Sequence, residues 1–188
     1  MTTITPSTAS NAAATTDPLH LIDVDHVRFY VGNAKQAAHY YAHTFGFQIE
    51  QFADLTTGSR DVASYLLTQG NIRFVLQTGL TPDSPIGEEV QNYGDGVKDV
   101  AFTVADAEKA FERAVANGAE IAYEPRTETD EHGAVTMAGI KSYGRATHTF
   151  VSRTGKYDLE QVRNGARFSP QFRDVDPLKI NEYNKKHP

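Results

Sequence analysis

From Asp25 onward the chain alternates polar and apolar positions, with Val27, Phe29 and Val31 on one side of the pattern. A period of two predicts a half-buried strand. The same alternation returns at Val100, Phe102 and Val104, at one constant offset from the first set. In both places the period then changes to that of a helix. Ala34, Ala37, Ala38, Tyr41 and Phe45 make the first apolar stripe, and Ala107, Ala110, Phe111, Ala114 and Val115 the second. Asn33 and Asp106 stand where an N-cap belongs, because their side-chain oxygens accept backbone N–H groups that the first turn leaves free. Gly46 and Gly118 stand where each helix would end in a left-handed residue.

Three more strands are predicted after each helix. In the first copy they are roughly 47–53, 62–68 and 72–78, with Gly70-Asn71 as the tight turn between the last two. In the second they are roughly 120–125, 134–141 and 147–153. The closing strands read alike, Phe74-Val75-Leu76-Gln77-Thr78-Gly79 against Phe150-Val151-Ser152-Arg153-Thr154-Gly155. The expected fold is therefore α+β: two βαβββ units, about 24–79 and 97–155, joined into one curved, roughly eight-stranded sheet with helices outside and a concave pocket inside. The connector 82–96 is broken by Pro85, Gly87, Gly94 and Gly96, with one short helix expected over 88–93. Residues 1–20 are expected to be a disordered leader, 21–156 the paired domain, and 157–188 an extended arm and linker that packs Tyr157, Phe168 and Phe172.

Composition narrows the chemistry. A formal charge of -6 and the lack of any basic run argue against nucleic acid as a partner. With no cysteine, disulfides, iron–sulfur clusters and thiol nucleophiles are excluded, so a metal would need His, Asp, Glu or backbone oxygen. No apolar run approaches the ~20 residues that span a bilayer. The first Lys or Arg is Arg28, so the start of the chain does not read as a signal or transit peptide, and a cytoplasmic location is expected.

The paired βαβββ unit resembles the vicinal oxygen chelate superfamily, which includes glyoxalase I, bleomycin-resistance proteins and extradiol dioxygenases. Longer segments resemble one family within it, 4-hydroxyphenylpyruvate dioxygenase and its relative hydroxymandelate synthase. They are Val31-Gly32-Asn33-Ala34-Lys35-Gln36-Ala37-Ala38-His39-Tyr40-Tyr41, Gly58-Ser59-Arg60-Asp61-Val62-Ala63-Ser64-Tyr65, Asp130-Glu131-His132-Gly133, and the stretch from Tyr143 to Gly155. The resemblance runs from about Val24 to Tyr157 and concerns the amino-terminal half of such an enzyme. It implies that the two His and one Glu that bind Fe(II), and the aromatic keto acid substrate, belong to a carboxy-terminal half. The implied reaction of the whole enzyme is the Fe(II)- and O₂-dependent conversion of 4-hydroxyphenylpyruvate to homogentisate in tyrosine catabolism.

The superfamily places metal ligands on the first and last strands of each unit, which by register are His26, Arg73, Asp99 and Thr149 here. Arg73 brings a fixed positive charge and Thr149 is a poor donor, so a facial triad of two His and one carboxylate is not available. The structural alternative makes His26 a polar residue of the strand and pairs Asp99 with Arg73. His39 and His43 share one helix face at i,i+4 without the Glu of an H-E-x-x-H site. His132 is expected in an exposed turn, and His148 on the sheet face opposite Thr149. No residue is assigned a catalytic, cofactor-binding or metal-binding role, and no cofactor is expected on this chain. The expected function is the non-catalytic amino-terminal half of the dioxygenase, inactive alone, associating with a carboxy-terminal half or with itself. The alternatives are a free-standing small-molecule module of the bleomycin-resistance type, a structural or interaction subunit, and hydroxymandelate synthase as the parent enzyme.

Overall fold

A computed structural model describes residues 19–175. The first unit consists of β1 (Leu21–Tyr30), α1 (Ala34–Phe45), β2 (Gln48–Ala53), β3 (Val62–Gln69) and β4 (Ile72–Gly79). Helix α2 (Pro85–Tyr93) leads to the second: β5 (Gly96–Val104), α3 (Ala107–Ala116), β6 (Ile121–Asp130), β7 (Gly133–Lys141) and β8 (Thr147–Gly155). The duplication predicted from periodicity is present in full. The expected leader falls outside the described residues apart from Leu19 and His20, as does 176–188 of the expected linker.

The caps behave as their chemistry requires. Asn33 Oδ1 accepts from the Gln36 N–H at 3.0 Å and Asp106 Oδ1 from the Lys109 N–H at 3.1 Å. Gly46 closes α1 with φ 77°, and Gly118, one residue beyond the C-cap of α3, has φ 95°. Helix α2 starts three residues earlier than expected. Pro85 occupies its first turn, where no N–H partner is needed, and Ser84 Oγ caps Ile86 N at 3.3 Å.

With a last short strand β9 (Arg173–Asp174), the strands form one curved sheet in the order β6-β7-β8-β5-β1-β4-β3-β2-β9. The units meet where β1 runs antiparallel to β5, with Val27 opposite Val100 and Arg28 opposite Asp99. The ninth strand corrects the expected count. Beyond β8 the chain forms a short helix α4 (Leu159–Arg163), then β9 (Arg173–Asp174), which pairs with the edge strand β2 through Gln51 and Phe52. The described part of the expected extended arm, residues 157–175, is thus a folded strap that caps an open sheet edge.

Each face of the sheet has its own core. On the outer face, α1 covers Phe47, Leu67 and Leu76, while α3 covers Val104, Ala138 and Phe150. On the inner face, Leu66 and Val75 pack with Val162, Phe168 and Phe172 of the strap. Ala101, Val135, Met137 and Val151 pack with Tyr157. Fully burying a side chain of this size contributes about 1.5–3 kcal/mol, so the strap residues are a main part of the inner core.

Candidate functional site

The inner face is where this fold would hold a ligand, and all four positions singled out from the register are buried there: His26, Arg73, Asp99 and Thr149. Their partners overturn one expected pairing. Asp99 does not pair with Arg73. Arg73 Nε donates to the Asp25 carbonyl at 2.7 Å and Nη2 to the Val24 carbonyl at 3.3 Å, so this guanidinium is spent on the backbone of β1. Asp99 Oδ1 accepts from Thr147 Oγ1 at 2.7 Å and Thr149 Oγ1 at 2.9 Å. Thr149 also shares a 2.7 Å hydrogen bond with Tyr123 Oη. The Tyr123 ring lies so close over Gly139 that a Cβ there would sit 2.2 Å from Cε1.

Asp25 has the ion pair that sequence reasoning gave to Asp99. Its carboxylate accepts two hydrogen bonds from Arg153, Nε and Nη2, each at 2.9 Å, and one from Thr103 Oγ1 at 3.1 Å. Both side chains are almost wholly buried. Burial alone would push this carboxyl up. The Arg153 charge and the hydrogen bonds from His26 and Arg153 outweigh it and hold Asp25 well below the ordinary carboxylate range. The residue was missed because alternation sends neighbours to opposite faces. The β1–β5 register shifts between Val24 and His26, a bulge that turns both Asp25 and His26 inward.

The proton on His26 follows from its two contacts. Its Nε2 lies 3.1 Å from Arg28 Nη2, and a guanidinium can only donate, so Nε2 accepts. Nδ1 then carries the hydrogen and donates to Asp25 Oδ1 at 2.8 Å. Burial, followed by the Arg28 charge, lowers the imidazole from its ordinary value against the pull of Asp25, in keeping with this neutral tautomer. The lone pair a metal would need is already engaged by a cation. His26, Arg73, Asp99 and Thr149 therefore do not fit an iron or other divalent centre, and among the described residues no three His, Asp or Glu side chains are grouped to hold one.

The strap is fastened over this centre from both units. Arg153 Nη1 donates to the Phe168 carbonyl, and its guanidinium lies 4.5 Å from the Phe168 ring centroid. The same ring meets His26 edge-on at 5.2 Å. Gln51, on β2, accepts from Phe168 N at 2.7 Å and donates to the Ala166 carbonyl at 3.1 Å. Tyr157 Oη donates to Asp130 Oδ2 at 2.6 Å.

His39, His43, His132 and His148 lie outside this cluster. His39 and His43 stack on α1 with ring centroids 6.0 Å apart. His132 is half-buried rather than exposed, its N–H donating to Asp130 Oδ1 at 2.8 Å within the turn. His148 faces the outer side as expected, with Nδ1 3.2 Å from the Val100 carbonyl and the ring 5.2 Å from Phe102. Among the described residues no helix is long and apolar enough to cross a membrane.

Comparison with known proteins places this geometry. The chain is 44% identical over 144 residues to 4-hydroxyphenylpyruvate dioxygenase of Coccidioides posadasii, covering 70% of this chain and 36% of that protein. It is 46% identical over 132 residues to 4-hydroxyphenylpyruvate dioxygenase of Dictyostelium discoideum, again covering 36% of that protein. The chain thus spans about a third of the length of these curated relatives. Among solved structures, a mutant of 4-hydroxymandelate synthase from Streptomyces coelicolor superposes with a TM-score of 0.64 at 26% identity, over 72% of this chain and 42% of that one. Methylmalonyl-CoA epimerase from Mycobacterium tuberculosis shares the fold, with a TM-score of 0.59 at 19% identity over 73% of this chain and 91% of its own. The profile of the Glyoxalase/Bleomycin resistance protein/Dioxygenase superfamily matches residues 23–141, and the chain belongs to that superfamily.

Proposed function

We propose that this chain is the amino-terminal, non-catalytic half of a 4-hydroxyphenylpyruvate dioxygenase, and that it serves as the scaffold beside which a second half carries the chemistry. The observation that supports this most directly is the state of the inner face. Its four ligand positions are all engaged by hydrogen bonds within the protein, and the space beside His26 is occupied by the Phe168 ring. In this reading Fe(II), which supplies oxygen activation in the whole enzyme, and the aromatic keto acid both sit outside these residues. The identity to the dioxygenases over about a third of their length supports the same assignment. Hydroxymandelate synthase stays open as the parent, since the pocket that would tell the substrates apart is assigned to the other half.

The filled groove also weighs against the free-standing ligand module, which needs an inner face open to its ligand. The deciding assay mixes the purified chain with Fe(II), ascorbate and 4-hydroxyphenylpyruvate and follows homogentisate by chromatography. No product above the protein-free background is expected, and repeated turnover would refute the proposal.

A further inference from the structure

On the inner face, Arg28 Nε and Asp99 Oδ2 have no hydrogen-bond partner among the described residues. They belong to directly opposed residues of β1 and β5. Both atoms are shielded from bulk solvent, so a protein group within reach would satisfy them without the cost of trapping a water. Asp99 itself is 1% exposed, and leaving a buried carboxylate oxygen unanswered is costly. The obvious partner for each is the other. Arg28 is engaged instead by His26, whose Nε2 lies 3.1 Å from Arg28 Nη2.

We propose that Arg28 is a two-position latch, held by His26 while that imidazole is neutral and handed across to Asp99 when the imidazole takes up a proton. The proton taken from solvent is the one outside species that the exchange needs. A proton on Nε2 removes the acceptor that Arg28 uses and sets two cations side by side. Arg28 then turns to Asp99 Oδ2, while His26 keeps its Nδ1–H bond to Asp25. In the first position Arg28 is tied within β1, and in the second it joins β1 to β5 and so clamps the two units together.

The groups around His26 decide when this happens. Asp25 favours the proton from the same strand and Asp99 favours it from β5, while Arg28 opposes it and burial opposes it most. Arg153 from β8 and Arg73 from β4 are already engaged by the carboxylate and the carbonyl of Asp25. From the strap the edge of Phe168 faces the ring. The transition therefore lies on the acid side of the ordinary imidazole value of 6.5.

The test is a pH series of nitrogen-15 and carbon-13 NMR spectra of the whole chain. At alkaline pH the His26 ring should show the Nδ1–H tautomer. On acidification the Arg28 Nε–H signal and the Asp99 side-chain carboxyl signal should both shift, with the midpoint of the His26 titration. In Asp99→Asn most of the Arg28 shift should be lost while His26 still titrates. The carboxyl signal of the unmodified protein gives the same answer if that variant does not fold. A proton on Nε2 at alkaline pH would overturn the proposal. So would an Arg28 signal indifferent to His26, a still Asp99 carboxyl, or unfolding before His26 takes up its proton.

Discussion

The two βαβββ units share a plan and differ in how they fill it. In the first, β4 lies against β1 with Val27 beside Phe74, which sets Arg73 next to His26. In the second, β8 lies against β5 with Asp99 beside Thr147 and Ala101 beside Thr149. The closing strands, aligned by their text, are therefore two residues out of step in space. Because the slip is even, every side chain keeps its face, and the inner positions stay inner. Corresponding positions thus carry unlike chemistry: His and Arg in one unit, Asp and Thr in the other. A duplicated fold fixes where side chains point, and their pairing is settled separately by local register. The cations show the same division. Arg73 serves backbone carbonyls of its own unit, whereas Arg153 reaches across to the bulged Asp25 of the other.

That difference should be largest in stability. Arg153→Met leaves the Asp25 carboxylate buried with only His26 and Thr103, and removing one partner of a buried pair costs about 3–5 kcal/mol. Arg73→Met, at the buried arginine of the first unit's closing strand, removes hydrogen bonds to two carbonyls and should cost about 1–3 kcal/mol. Urea denaturation of both variants measures the contrast, and equal losses would break it. Acid sharpens it further. The Asp25 carboxyl is depressed in the folded state, so its contribution is complete above the ordinary value of about 3.8 and fades as the pH falls toward the folded one. The excess cost of Arg153→Met should shrink along the same course.

These residues also mark how far the sequence could be read. The duplication, both N-caps and the strand faces were legible, because period and capping chemistry are local and each was present twice. The expectation that the four ligand positions would hold no metal was drawn from residue type alone. The Asp25–Arg153 pair was not legible. It depends on a one-residue bulge that breaks alternation, and it joins residues 128 apart in the chain. The ninth strand was hidden for a related reason. Arg173–Asp174 is too short to show a period, and its pairing is specified by the edge of β2 rather than by its own residues. Pro85 was read as punctuation although it begins a helix, since one residue type serves both purposes.

A second contrast lies one strand further out. Opposite Thr149 in β7 stands Gly139, over which the Tyr123 ring closes onto the Thr149 hydroxyl. Opposite Arg73 in β3 stands Thr68, which donates to Glu50 Oε1 at 2.6 Å. The second unit therefore needs the absence of a side chain where the first uses one. Gly139→Ala forces the ring outward and breaks the Tyr123–Thr149 bond, an overpacking that costs about 1–3 kcal/mol. The same urea series reads this loss, and the Tyr123 ring signals in the NMR spectrum should move with it. A neutral outcome with an unmoved ring would mean the close approach is not required.

The smallest differences should be found where the units are most alike. Asn33 and Asp106 hold nearly the same backbone, φ -146° and ψ 98° against φ -149° and ψ 108°, and each side chain caps the third residue onward. Replacing either by Ala should cost about 1 kcal/mol. The one asymmetry is charge. The Asp106 carboxylate lies at the positive end of α3 and is lowered by its hydrogen bonds to Lys109, so it stabilises fully above the ordinary carboxyl value and loses that effect in acid. Because the group is exposed, salt should screen the extra term to a few tenths of a kcal/mol or less. In moderate salt, then, Asn33→Ala and Asp106→Ala should lower stability alike, and only at low salt should Asp106→Ala fall further. If they differ severalfold in salt, the two helix starts are not equivalent, and the likeness of the units ends at the strands.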